Sequence, residues 1–234
     1  MNTTAFEVAD FQDAQRIREA PRRLEILRRP ESWNPAKYAR EQIRLLVRRV
    51  FFSESSRIRQ VVVSAIEHET AIRGFCKEMG AVLSREVSRD VAVVEGWKDV
   101  SRGEGFGSEL RERSRNSNGE LRRHATQAEA NLWRLSGSDD EAFGADASMP
   151  TRLWRIRREF EYSILVGENL VASHEAAALA ELSDGMILVL SALRTRRATA
   201  VNVKQRLDAS GVRLLGAVLR DRDFPIPEGI YRKL

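Results

Sequence analysis

Five short apolar runs, rich in β-branched side chains, recur along this chain with helical patterns between them. They occupy residues 60–65 (QVVVSA), 91–94 (VAVV), 162–166 (YSILV), 186–190 (MILVL) and 214–219 (LLGAVL). A run of this kind has no polar face to show to water, so it belongs in a sheet covered on both sides. Between the runs, apolar residues return at helical spacing over 71–87, 153–160, 174–182 and 195–210. The last of these stops at Gly211, as a helix C-terminus should. A shorter strand is predicted over 132–135. Alternating strands and helices of this type predict an α/β fold: a doubly wound, mainly parallel sheet with helices on both faces. A chain of 234 residues suits one such domain.

The pattern starts sharply at Lys37. From there Tyr38, Ile43, Leu46, Val47, Val50 and Phe51 recur at helical spacing. Residues 1–36 hold Pro21, Pro30 and Pro35 and read as an N-terminal extension or partner-binding arm. The domain proper is assigned to 37–234, with a polar insertion around 99–150. Within the insertion, 99–130 read as a loop with one exposed helix, and 137–150 as a loop rich in Ser, Asp, Gly and Ala.

Composition excludes several classes. The single cysteine, Cys76, rules out an internal disulfide framework, and its helical spacing with Ile72, Met79 and Leu83 makes it a core residue. His68, His124 and His174 are scattered and form no metal-ligand spacing, so no metal and no cofactor are expected. The start MNTTAFEVADFQ lacks the basic and apolar regions of a secretory signal, and the longest apolar stretch, 186–193, is too short to span a membrane. A cytoplasmic location follows as an expectation, with recruitment to an inner membrane through a partner. Net charge is +5, and all but five of the 39 basic residues are arginine. The arginine pairs are dispersed along the chain, so no specific nucleic-acid partner is expected.

Over its last 75 residues the chain resembles the bacterial tyrosine autokinases of capsule and exopolysaccharide export, within the MinD/ParA-like branch of P-loop ATPases. The resemblance rests on the strand entry Phe160-Glu161-Tyr162, on LAELSDG before a strand and RTRR after it, on GVRLLGAVL, and on the PIP…YR ending. EQIRLLVRRVFF, from Glu41, is similar to the family's helix before the first strand. What the resemblance implies is a P-loop NTPase-like fold.

The family's chemistry has no counterpart at the matching positions. A Walker A loop needs glycines to curl its N–H groups inward, a lysine for the terminal phosphates and Ser or Thr for magnesium. The matching stretch, Ile66 to Arg73, has no glycine, and Ala71, Ile72 and Arg73 replace the Gly-Lys-Ser/Thr triplet. Glu67 and Glu69 would face a polyphosphate with like charge, a repulsion of roughly 3 kcal/mol at ~5 Å and an effective dielectric of 20. In the Asp-x-Asp motif Glu95 keeps one carboxylate and Trp97 replaces the other. The Walker B strand ends in Val166, followed by Gly167, Glu168 and Asn169, and Arg220 replaces the base-recognising Asn. As ordinary features, Glu95 and Glu168 are solvated carboxylates at strand ends.

The resemblance therefore implies a pseudo-ATPase or pseudokinase with no catalytic residue, acting as a regulator or scaffold in polysaccharide export. Its expected partners are a membrane polysaccharide copolymerase or an active kinase relative, with homo-oligomerisation possible. In the family a Glu-x-x-Arg-x-x-Arg pattern on the first helix joins subunits in a ring. Here Glu41 and Arg44 keep two positions, while Arg48 comes one residue late. An ordinary intrahelical pair is the competing account of the same residues. Two other functions remain open: a phosphate- or nucleotide-binding enzyme rebuilt around Arg73, Arg194, Arg220 and Glu95, and a ParA-like localisation adaptor. The family's C-terminal tyrosine cluster is reduced to Tyr231, so autophosphorylation is not expected.

Overall fold

A computed structural model describes residues 7–9, 35–53, 57–67, 72–97, 120–167, 169–171, 174–192 and 194–221. Its strands are β1 (Glu7–Ala9), β2 (Gln60–Ala65), β3 (Val91–Glu95), β4 (Thr126–Glu129), β5 (Leu132–Ser136), β6 (Tyr162–Val166), β7 (Gly185–Ser191) and β8 (Leu214–Arg220). Its helices are α1 (Pro35–Phe51), α2 (Ile72–Glu86), α3 (Glu120–His124), α4 (Asp140–Phe143), α5 (Met149–Glu159), α6 (Glu175–Glu181) and α7 (Arg197–Ala209).

The strands form one sheet in the order β1-β8-β7-β2-β6-β3-β5-β4. It is parallel from β8 to β5 and antiparallel only where β1 and β4 close its edges. This is the mainly parallel, doubly wound sheet expected from the uninterrupted apolar runs. Alternation along each strand divides the core in two. Val61, Val63, Val91, Val93, Ile164 and Ile187 meet α1 and α2 through Ile43, Leu46, Val47, Phe75, Met79 and Leu83. Val62, Ala92, Val94, Leu165, Met186 and Leu188 face Leu153, Ile156, Leu179, Val203 and Leu207 on the other side.

Three departures from the sequence reading have physical causes. Residues 126–129, read as part of a loop, form an edge strand that pairs with β5; all four are at least partly exposed, so no apolar run announces them. Residues 137–150 are not simply a loop. Asp139 caps α4, its Oδ1 accepting the N–H groups of Glu141 at 3.0 Å and Ala142 at 3.1 Å. Helix α5 also begins four residues earlier than predicted, at Met149 with Pro150 in its first turn, where a missing N–H does no harm. Arg152 organises this segment from a buried position: it donates to Ala147 O, Gly137 O and Gly144 O, and to Asp140 Oδ1 at 2.9 Å. Ahead of α1, residues 7–9 pair with Ala217–Leu219 as an edge strand.

Asp184 ties the amino ends of β2 and β7 to α5. Its Oδ2 accepts the N–H groups of Arg59 and Gln60, each at 2.8 Å, and its Oδ1 accepts from Arg157 at 2.9 Å. Removing this acceptor strands two backbone donors and one guanidinium in partly buried surroundings. Asp184→Ala is expected to lower stability by about 2–4 kcal/mol and Asp184→Asn by less. Urea denaturation followed by circular dichroism measures both.

Candidate functional site

Ligands of an open α/β sheet settle at the carboxyl ends of the strands, where successive connections leave in opposite directions. Here that place is the end of β2, between β6 and β7. A phosphate cradle would need open backbone N–H groups above it. The described residues put apolar packing there. Ile66 follows β2, is fully buried, and joins the cluster containing Val62, Leu170, Ala176 and Leu188. Its N–H donates to Val189 O at 3.2 Å.

The chain leaving β6 then folds across the strand end. Gly167 N–H donates to Val63 O at 2.9 Å, and Leu170 N–H donates to Ala65 O at 3.1 Å. Glycine permits this approach, because a Cβ at Gly167 would lie 2.9 Å from Ala176 Cβ. Val166 is buried at the end of β6 and offers no side-chain carboxylate to a metal ion. Ile72 opens α2 with its side chain in the core. Glu69, Ala71 and Glu168 lie outside the described residues.

Charge gathers instead at the end of β3. Glu95 is approached by Arg134 at 3.0 Å, by Lys77 at 3.7 Å and by Arg73 at 3.9 Å. Arg73 and Lys77 are one helical turn apart on α2, and the parallel register of β3 and β5 sets Arg134 opposite Val93. Glu95 is therefore not the solvated carboxylate that its place in the sequence suggested. Arg73 was anticipated beside it; Lys77 and Arg134 were not. The i, i+4 spacing of Arg73 and Lys77 was the available signal, but nothing in the sequence directed Arg134 to them.

Trp97 is buried two residues further on, pressed against Gly137: a Cβ there would lie 2.4 Å from the indole ring. Arg220 is buried at the end of β8, and the exposed Arg194 sits in the turn after β7. Asp221 follows with φ 56°, its carboxylate accepting from Ser191 Oγ at 2.8 Å. Cys76 is completely buried, and that burial raises its thiol pKa well above the usual range. The charge of Glu95 adds to the shift and that of Arg220 opposes it. Among the described residues no group of three His, Cys, Asp or Glu side chains could hold a metal ion.

The first-helix residues are engaged within the chain. Arg44 pairs with Glu41 at 3.0 Å and with Glu86 of α2 at 3.0 Å, and Arg48 reaches Glu86 at 3.2 Å. The intrahelical pair is present, and it extends into a network that clamps α1 to α2.

Comparison with protein-family models gave no match, and none was found among curated proteins. Solved structures do match. The kinase domain of the Escherichia coli tyrosine kinase ETK superposes with a TM-score of 0.57 at 16% identity, covering 82% of each chain. The BceF tyrosine kinase domain gives 0.56 at 16% identity, over 78% of this chain and 77% of that one. The VpsO kinase domain gives 0.56 at 14% identity, over 80% of this chain and 98% of that one. The chain shares the fold of these tyrosine kinase domains. Identity this low speaks for the fold and not for the residues that act.

Two measurements check the packing described here. Gly137→Ala forces a methyl group into the Trp97 ring and is expected to lower stability by about 1–3 kcal/mol in urea denaturation. Cys76 should remain unlabelled by a disulfide reagent near pH 8 in the native protein and react fully once denatured, because the buried thiol neither ionises nor meets the reagent. Rapid native labelling would show that α2 opens readily.

Proposed function

We propose that this chain is a non-catalytic relative of the bacterial tyrosine kinase domains, a pseudo-ATPase that works through protein contacts in exopolysaccharide or capsule export. The observation that carries the reading is the covered end of β2. Leu170 N–H caps Ala65 O, Ile66 is buried, and the adjoining strand end is Val166. A catalytic phosphate site at this place requires an open nest of N–H groups, a lysine and a magnesium-binding carboxylate.

Its partners are a membrane polysaccharide copolymerase or an active kinase relative, with self-association as a further possibility. The surface of α1 favours a protein contact. Leu45 and Phe52 stand exposed at i, i+7 beside Arg48 and Arg49, a mixture of apolar and arginine side chains that interfaces favour. Among the described residues no helix is long and apolar enough to cross a membrane, so attachment to one would run through such a partner. The rebuilt phosphate-binding enzyme is the second reading, favoured by the approach of Arg73 to Glu95. The ParA-like adaptor has only the net positive charge of the chain in its favour.

Isothermal titration with magnesium-ATP is expected to give no saturable binding tighter than about 1 mM. A micromolar dissociation constant would replace this proposal with the enzyme reading. Leu45→Asp should weaken recovery of the partner or self-association in sedimentation by at least about tenfold. Its stability should change by less than about 0.5 kcal/mol, because the side chain is already half in water.

A further inference from the structure

The cations around Glu95 are left unused by a domain that acts only through protein contacts. Three positive charges face one negative, a net +2 at the carboxyl ends of β3 and β5 and the start of α2. Only the Arg134 contact, at 3.0 Å, is a hydrogen bond. At 3.7 and 3.9 Å, Lys77 and Arg73 are held near the carboxylate without being locked to it. The carboxylate is mostly shielded, at 20% exposure, while the side chains of Arg73, Lys77 and Arg134 are 65%, 41% and 39% exposed. Solvent therefore meets the cations more readily than the anion beneath them.

Hydrogen bonding at the same strand end is incomplete as well. Glu95 Oε2 and Arg134 Nε are shielded from water and make no hydrogen bond. Native interiors leave few such atoms. The unpaired donor Arg134 Nε coincides with excess positive charge, so the chemistry that suits the place is an anion with several acceptor oxygens. Guanidinium groups match the oxygens of a phosphate in geometry as well as in charge.

We propose that Arg73, Lys77 and Arg134 bind the dianion of a phosphate group without a metal ion, and that Glu95 positions the three cations beneath it. The site is displaced from the covered end of β2 and does not depend on nucleotide binding. Free phosphate and a phosphorylated aromatic side chain offer the same chemistry, and the test separates them.

Inorganic phosphate and phenyl phosphate are titrated separately into the full chain at low ionic strength, without magnesium or nucleotide, with binding read by calorimetry. Saturable millimolar or tighter binding is expected, weakening as chloride salt is added. Arg73→Ala combined with Lys77→Ala should reduce the affinity at least about tenfold, since each charge-assisted contact contributes appreciably. Arg73 is largely exposed and Lys77 partly so, so the variant should fold, and circular dichroism checks this. Glu95→Gln keeps the shape of the side chain and an acceptor for Arg134 while removing a neighbouring like charge, so it should bind phosphate several-fold more tightly; a cluster serving only to brace the fold would show no such gain. Tighter binding of phenyl phosphate identifies a phosphorylated side chain as the occupant, and equal binding identifies free phosphate. Absence of saturable binding of either probe up to about 10 mM, or binding indifferent to Arg73→Ala with Lys77→Ala, would overturn the proposal.

Discussion

Every residue of β2 is buried, and the strand runs between β6 and β7 with helices over both faces. That burial is the constraint on which the remaining architecture depends. A strand with no solvent face must have each backbone group paired in the sheet and each polar side chain answered from a neighbouring element. Gln60 illustrates this: Arg157 donates to its Oε1 at 2.8 Å, and its amide reaches Leu153 O at 3.4 Å. The Asp184 carboxylate binds the N–H groups at the entry to the same strand. Helix α5 is thus fixed to β2 by polar contacts at one end and by Leu153 and Ile156 along its buried face.

The same demand for closure governs the carboxyl end of the strand. In an active P-loop domain the end of the central strand is left open, so that backbone N–H groups remain for phosphate. Here Ile66 and Leu170 extend the core over that end, and Gly167 lets the chain pass close enough to cap Ala65 O. Among the described residues, apolar packing occupies this end of the sheet. Ionic groups gather instead at β3 and β5, where Arg73, Lys77 and Arg134 approach Glu95.

Much of this fold was legible in advance. The parallel strands β2, β3, β6, β7 and β8 are continuous apolar runs, and α2 and α7 end within a residue or two of their predicted limits. Burial of both sheet faces leaves that mark on composition, and helical spacing leaves its own. Elements held by polar contacts left no such mark. Strand β4 is an exposed edge, α4 is one turn capped by Asp139, and the start of α5 depends on a buried Arg152 that looks like any surface arginine in the sequence.

The site divides in the same way. Sequence by itself determined the doubly wound sheet and the buried character of Cys76, because each is a matter of residue type at a local spacing. Only the tertiary structure decided that Arg44 and Arg48 clamp α1 to Glu86, and that Lys77 and Arg134 converge with Arg73 on Glu95. Those meetings depend on the register of β3 with β5 and on how the helices pack over the sheet, which pairs residues tens of positions apart. No local spacing encodes such a pairing, since the distance between two charges is set by the whole core that lies between them.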